Sequence, residues 1–97
     1  MRNAYLIAYD VCDKKRLRKA YRLMCGAGDP LQYSVFRCEL SPMEKQSLQE
    51  SLWEILNFAE DRVLVVNLGP LDGRRDNRIE CWGEPLTKEL SRGAVVI

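Results

Sequence analysis

Apolar positions along the 97 residues change rhythm from one segment to the next. Ala4 to Tyr9 is almost wholly apolar and closes on Asp10, which predicts a strand buried on both faces at a central sheet position. From Lys14 to Cys25 the spacing becomes helical. Leu17, Ala20, Tyr21 and Met24 recur at i, i+3, i+4 and i+7 and define one apolar stripe, with Lys15, Arg18, Lys19 and Arg22 turned away from it. Asp13 stands where its side-chain oxygen can accept from the free amides of the first turn, so it is the expected N-cap. Gly26-Ala-Gly28-Asp-Pro30 is expected to end the helix and turn the chain.

Leu31 to Leu40 reads as an extended segment, with Gln32, Ser34 and Phe36 alternating with Tyr33, Val35 and Arg37. It is long for one strand, so a bend near Ser34 is expected. Ser41-Pro42-Met43-Glu44 is a capping box with proline at the first helical position. The helix it opens buries Leu48, Leu52, Ile55, Leu56 and Ala59 and is expected to end near Phe58. Asp61 to Leu68 then contains the strongest β-run of the chain, Val63 to Val66. Gly69 to Asn77 is a polar loop, Arg78 to Trp82 a short strand, and Gly83-Glu-Pro85 a break. The final Ala94 to Ile97 run is an unattached strand able to add to a sheet edge, its own or a partner's.

This order predicts an α+β sandwich with helices on one face of the sheet, and a ferredoxin-like βαββαβ arrangement is its natural form. Residues 1–97 are expected to form one domain, with a core over about 1–69, a tail from 70 for dimer or partner contacts, and an additional C-terminal strand. The other face of such a sheet is too apolar to leave in water, which favours a face-to-face homodimer. A core this small also gains from oligomerising.

Composition narrows the chemistry. No apolar run approaches the roughly 20 residues of a membrane span, and the amino terminus lacks the pattern of a secretion signal, so a cytoplasmic protein is expected. The net charge is +1, so affinity for nucleic acid must come from local clustering. Cys12, Cys25, Cys38 and Cys81 are too widely spaced for a CxxC pair and are read as reduced, mostly buried apolar side chains. Without histidine, Ser-His, Cys-His and histidine acid–base mechanisms are excluded within this chain.

Clustering does occur. Asp10 places a carboxylate at the rim of the sheet, and six bases follow between Lys14 and Arg22 with no acid among them. A hard oxygen ligand beside positive charge is what phosphate chemistry needs. Asp10 either ligates a metal or makes a hydrogen bond at the strand end, whereas capping is the better reading of Asp13. Tyr9 offers a hydroxyl to substrate or packs as an aromatic. Arg16 is placed to reach a phosphate from the first helical turn, with Lys14 and Lys15 beside it and Arg18, Lys19 and Arg22 along the helix. Arg74, Arg75 and Arg78 either extend this track or form a solvated loop. A two-fold axis would put about a dozen cations on one dimer, each neutralised phosphate adding close to one unit of salt slope. Trp53 and Trp82 read as packing residues, and Trp82 with Ile79 as a partner contact.

Tyr9-Asp10-Val11, Asp13, Arg16-Leu17 and Lys19 resemble the YDVxDxxRLxK opening of the CRISPR-associated protein Cas two family. Gly28, Gln32-Tyr33-Ser34-Val35-Phe36 and Leu40 resemble its central GxxxQxSVFxxxL signature, and Asp61-Arg-Val63 with Leu68 fits its next strand. The resemblance runs from about Tyr5 to Leu68. It implies a ferredoxin-like homodimer in which Asp10 faces its symmetry mate, the two carboxylates sharing a magnesium ion, with manganese as the alternative. Gln32, Ser34 and Phe36 are then signature positions with a role in sheet pairing and dimer packing. Two functions follow from the resemblance: a metal-dependent nuclease on RNA or DNA, and the central dimer of CRISPR adaptation, which holds duplex DNA for the Cas one integrase. Single-stranded RNA is the other polynucleotide expected. The adaptor role is the expected biological function, because a sparse metal site without histidine is a poor catalyst. A third reading, outside nucleic acids, is a small-ligand or toxin-like ferredoxin-fold domain.

Overall fold

The computed structural model describes residues 1–71 and 79–84. In chain order the elements are β1 (Asn3–Asp10), α1 (Lys14–Ala27), β2 (Gly28–Gln32), β3 (Val35–Leu40), α2 (Pro42–Ile55) and β4 (Arg62–Pro70). The sheet order is β2-β3-β1-β4, and each neighbouring pair is antiparallel. This is the expected ferredoxin-like βαββαβ connectivity, with the near-continuous apolar run of β1 at a central position. Arg74, Arg75, Arg78 and the Ala94 to Ile97 run lie outside the described residues.

Register decides which side of each strand is buried. Tyr5 opposes Cys38 and Ile7 opposes Phe36, so these side chains share one face. That face packs against Ala20, Tyr21 and Met24 of α1 and Leu48 and Leu52 of α2. Phe36 stands at its centre, stacked on Tyr9 and edge-on to Tyr21. The opposite face carries Leu6, Ala8 and Val35, all half-buried, and Leu64 and Val66, which are 63% and 39% exposed. No helix covers this second face among the described residues.

Both expected caps form. The Asp13 carboxylate accepts from the Arg16 amide, and Ser41 and Glu44 exchange the two hydrogen bonds of the capping box. The end of α1 differs from expectation. The helix passes through Gly26 and Ala27, and β2 begins at Gly28 with no turn between them. Gly28 is extended (φ −169°), so it is not a left-handed cap. Its role is steric: a Cβ there would lie 2.5 Å from the Arg37 carbonyl oxygen and 2.5 Å from Cys38 Sγ. Pro30 is tolerated because β2 is an edge strand. The chain reverses at Tyr33 and Ser34, as expected.

Helix α2 stops at Ile55, short of Phe58. Local polar bonding accounts for this. The Asn57 side chain accepts from the Ala59 amide, and the Asn57 amide donates to Asp61 Oδ2, so the backbone turns instead of continuing the helix. Ala59 is therefore exposed and leaves the buried stripe. In β4 the register slips opposite Ala4 and Tyr5, and Gly69 takes a positive φ of 101° there. Ile79 to Trp82 has no strand structure. Instead Ile79 and Trp82 border a cleft on the uncovered face with Leu6, Gln32 and Val35.

Two further expectations are corrected. Of the four cysteines, all free, Cys38 alone is buried, because α1 and the loops turn Cys12, Cys25 and Cys81 outward. Trp53 and Trp82 are exposed, not core residues; Trp53 meets Phe58 edge-on at the surface.

Candidate functional site

Strand alternation separates the last two residues of β1. Tyr9 turns towards the helices and Asp10 towards the uncovered face, opposite Arg62 of β4. The Tyr9 ring is 5% exposed, and its hydroxyl donates to the Tyr33 carbonyl at 2.9 Å. Burial holds its phenol above the usual range. Tyr9 is thus a packed residue, and the expectation that it touches substrate is revised: the hydroxyl points into protein.

Asp10 is exposed, and among the described residues its carboxylate has no hydrogen bond or ion pair. The strand-end hydrogen bond that is its alternative role is absent there. Capping is done by Asp13, whose Oδ2 accepts from the Arg16 amide at 3.0 Å. Phe36 lies in the core, Gln32 is exposed on β2 opposite Val35, and the Ser34 carbonyl accepts from the Tyr9 amide at 3.0 Å. Of these signature positions Phe36 thus serves core packing, while Gln32 and Ser34 take part in backbone pairing.

The basic row divides into two kinds. Lys14, Lys15, Arg18, Lys19 and Arg22 are exposed and carry no ion pair among the described residues. Arg16 does not join them. Its Nε donates to Asp61 Oδ2 at 2.7 Å, and its Nη2 donates to Asp61 Oδ1 at 3.1 Å and to Glu60 Oε1 at 3.0 Å. The guanidinium expected to reach a phosphate is thus engaged by two carboxylates of its own chain. A fork of donors matches a carboxylate in both spacing and charge, and here the carboxylate is intramolecular.

Asp61 is the residue that sequence reasoning missed. Its position marks only the start of a strand, yet its side chain is 0% exposed and joins three segments. Besides Arg16, it accepts from the Cys12 amide at 2.9 Å and from the Asn57 amide at 3.0 Å. The Arg16 guanidinium above all, with these two amides, holds its carboxyl well below the usual range against the opposing effect of burial. No short-range pattern marks this pairing, because Arg16 and Asp61 are 45 residues apart.

No group of three or more histidine, cysteine, aspartate or glutamate side chains converges among the described residues. Among the described residues Asp10 is the one carboxylate at this site without a partner. The donor type fits magnesium, but the number fits only an ion shared between two copies or largely hydrated. No helix among the described residues is long and apolar enough to cross a membrane.

Known proteins are similar to this chain in sequence and in fold. The family model for CRISPR associated protein Cas2 matches residues 3–74. A CRISPR-associated endoribonuclease Cas2 of Geobacter sulfurreducens is 38% identical over 99% of this chain and 100% of its own length. One from Synechocystis is 39% identical over 96% of this chain and 97% of its own. The crystal structure of Streptococcus pyogenes Cas2 superposes with a TM-score of 0.70 at 28% identity, covering 82% of this chain and 99% of that one. A Thermus thermophilus protein described as hypothetical superposes with a TM-score of 0.72 at 25% identity, over 90% of this chain and 98% of that one. The family model spans most of the chain and the relatives match it over nearly their full length, so the chain belongs to the CRISPR-associated protein Cas2 family.

Proposed function

We propose that two copies of this chain pair through their uncovered sheet faces and hold duplex DNA for a Cas one integrase during CRISPR adaptation. In this reading the paired Asp10 carboxylates also carry a magnesium-dependent phosphodiesterase activity. The observation that carries the proposal is Asp10 itself: an exposed carboxylate without a partner among the described residues, at the end of the central strand, on the sheet face left open. Leu64 and Val66 make that face too apolar to remain wet, and a second copy would cover it. The endoribonuclease names of the relatives support the hydrolytic half of the reading.

Within each copy the residues divide the work. Asp10 would supply the oxygen ligand. Lys14 and Lys15, at the start of α1, would hold a phosphate near it, and Arg18, Lys19 and Arg22 would follow the backbone of a bound polynucleotide. A bound magnesium ion supplies Lewis acidity and a more acidic water. With no histidine in the chain, the protein adds little acid–base help of its own. A second reading, a structural adaptor without catalysis, is favoured by the single donor that each chain contributes.

Asp10→Asn separates the two. It keeps the shape and removes the charge. Loss of cleavage with duplex affinity and integrase association retained is the expected result. Cleavage by the purified variant equal to wild type would remove the nuclease site. Loss of duplex binding would remove the division of labour between Asp10 and α1.

A further inference from the structure

Asp61, in the turn just before β4, accepts four hydrogen bonds from three residues, none of them in β4. One partner, the Cys12 amide, lies two residues beyond Asp10 in the link between β1 and α1. Another, Arg16, sits in the first turn of α1, where its own amide is held by Asp13. The third, Asn57, begins the turn that closes α2. The Cys12 thiol, donating to the Glu60 carbonyl at 3.2 Å, ties the same two loops a second time. The link that follows Asp10 is therefore held from behind by a fully buried carboxylate, while Asp10 itself, at the end of β1, has no partner among the described residues.

We infer that Asp61 is a positioning residue for Asp10: by gripping the Cys12 amide and the Arg16 guanidinium it fixes the β1–α1 link and so sets where the Asp10 carboxylate and the Lys14 and Lys15 ammonium groups stand. This rests on the reading of Asp10 as the functional carboxylate. Arg16 acts in it as a structural cation, oriented by Asp61, and does not touch the polynucleotide. Glu60 is peripheral, since its bond to Arg16 is made at the surface.

The test compares the full-length wild type with Asp61→Asn, Asp61→Glu and Glu60→Gln at a temperature where all are folded. Amide hydrogen exchange is read at Val11, Cys12 and Asp13 against Ile7 and Phe36 in the sheet. Magnesium-dependent cleavage of RNA and duplex DNA is separated into kcat and KM. Asp61→Asn is expected to speed exchange in the link by a clearly larger factor than at the sheet amides, which follow the global loss of stability alone. It should lower kcat by about 10–100-fold, as loss of an outer-shell partner does, with little change in KM. Asp61→Glu, which keeps the charge, is expected to recover part of the loss, and Glu60→Gln to match wild type.

Unchanged exchange in the link overturns the inference. So does a loosened link with kcat intact, or a rise in exchange in the sheet equal to that in the link, which would reduce Asp61 to a general stabiliser. If the wild type itself cleaves nothing, it is the nuclease reading that fails. The exchange measurement, made without metal or substrate, then decides alone whether Asp61 holds the link.

Discussion

Arg16 grips Asp61 through two nitrogens, Nε at 2.7 Å and Nη2 at 3.1 Å, and so takes one cation out of the basic row. A guanidinium held this way stays oriented, whereas the five exposed bases of α1 remain available to solvent or phosphate. In the sequence these bases read as one row. The structure assigns them two physical roles.

The salt dependence of duplex binding tests that division. Lys15→Gln and Lys19→Gln are each expected to lower the slope of log K against log salt by about 0.9 for every phosphate left without its cation. Arg16→Gln should leave the slope unchanged, although it lowers the melting temperature. Titration of a fluorescent duplex at several salt concentrations provides the measurement. An Arg16→Gln slope reduced as far as that of Lys15→Gln would return Arg16 to the binding surface.

Stability should follow Asp61 in acid. Its folded-state pKa is depressed, so its contribution is fully present above the unfolded carboxylate value of about 4 and is lost as pH falls through the lower folded value. Asp61→Asn is expected to melt at least about 5 °C below wild type near neutral pH. That gap should stay level down to about pH 5 and narrow only below about pH 4. Thermal melts across this range check the sign; a gap that widens towards acid contradicts it.

Gly28→Ala should destabilise the fold by about 1–3 kcal/mol, the usual cost of forcing atoms into a packed site. One of the two atoms in the way belongs to the backbone, the Arg37 carbonyl oxygen, which has little freedom to move. Urea unfolding of the variant measures the loss. A variant as stable as wild type would mean that β2 can move away from β3.

Thiol reactivity separates the cysteines. Cys12, Cys25 and Cys81 are exposed and should react with a thiol reagent in the native protein. Cys38 is fully buried, and burial pushes its thiol up to about 11, so it should react only on unfolding. Mass spectrometry after native and denaturing labelling identifies each site.

Local signals were legible in the sequence. The Asp13 cap, the Ser41–Glu44 capping box and the apolar stripe of α1 involve residues within a few positions of one another, and each forms as read. The missed features depend on distant partners. Gly28 resembles a helix stop until β3 is brought against it. Ala59 fits the helical spacing, but Asn57 and Asp61 bond across the turn and end α2 first. Tyr9 and Asp10 look alike as strand-end polar groups, and only the register puts one in the core and the other in the open. Of the site, Asp10 and five exposed cations were readable; the buried carboxylate behind them was not.

Ala27 ends α1 and Gly28 begins β2, so the helix is joined to the sheet by a single peptide unit, while Asp13 and Asp61 fasten its other end. A rod clamped in this way has no hinge. Its charges keep a constant spacing, like marks on a ruler, and any polyanion laid along them must do the adjusting. A pliable duplex would then bind more tightly than a stiff one of equal length, through mechanical compliance and without any contact to base edges.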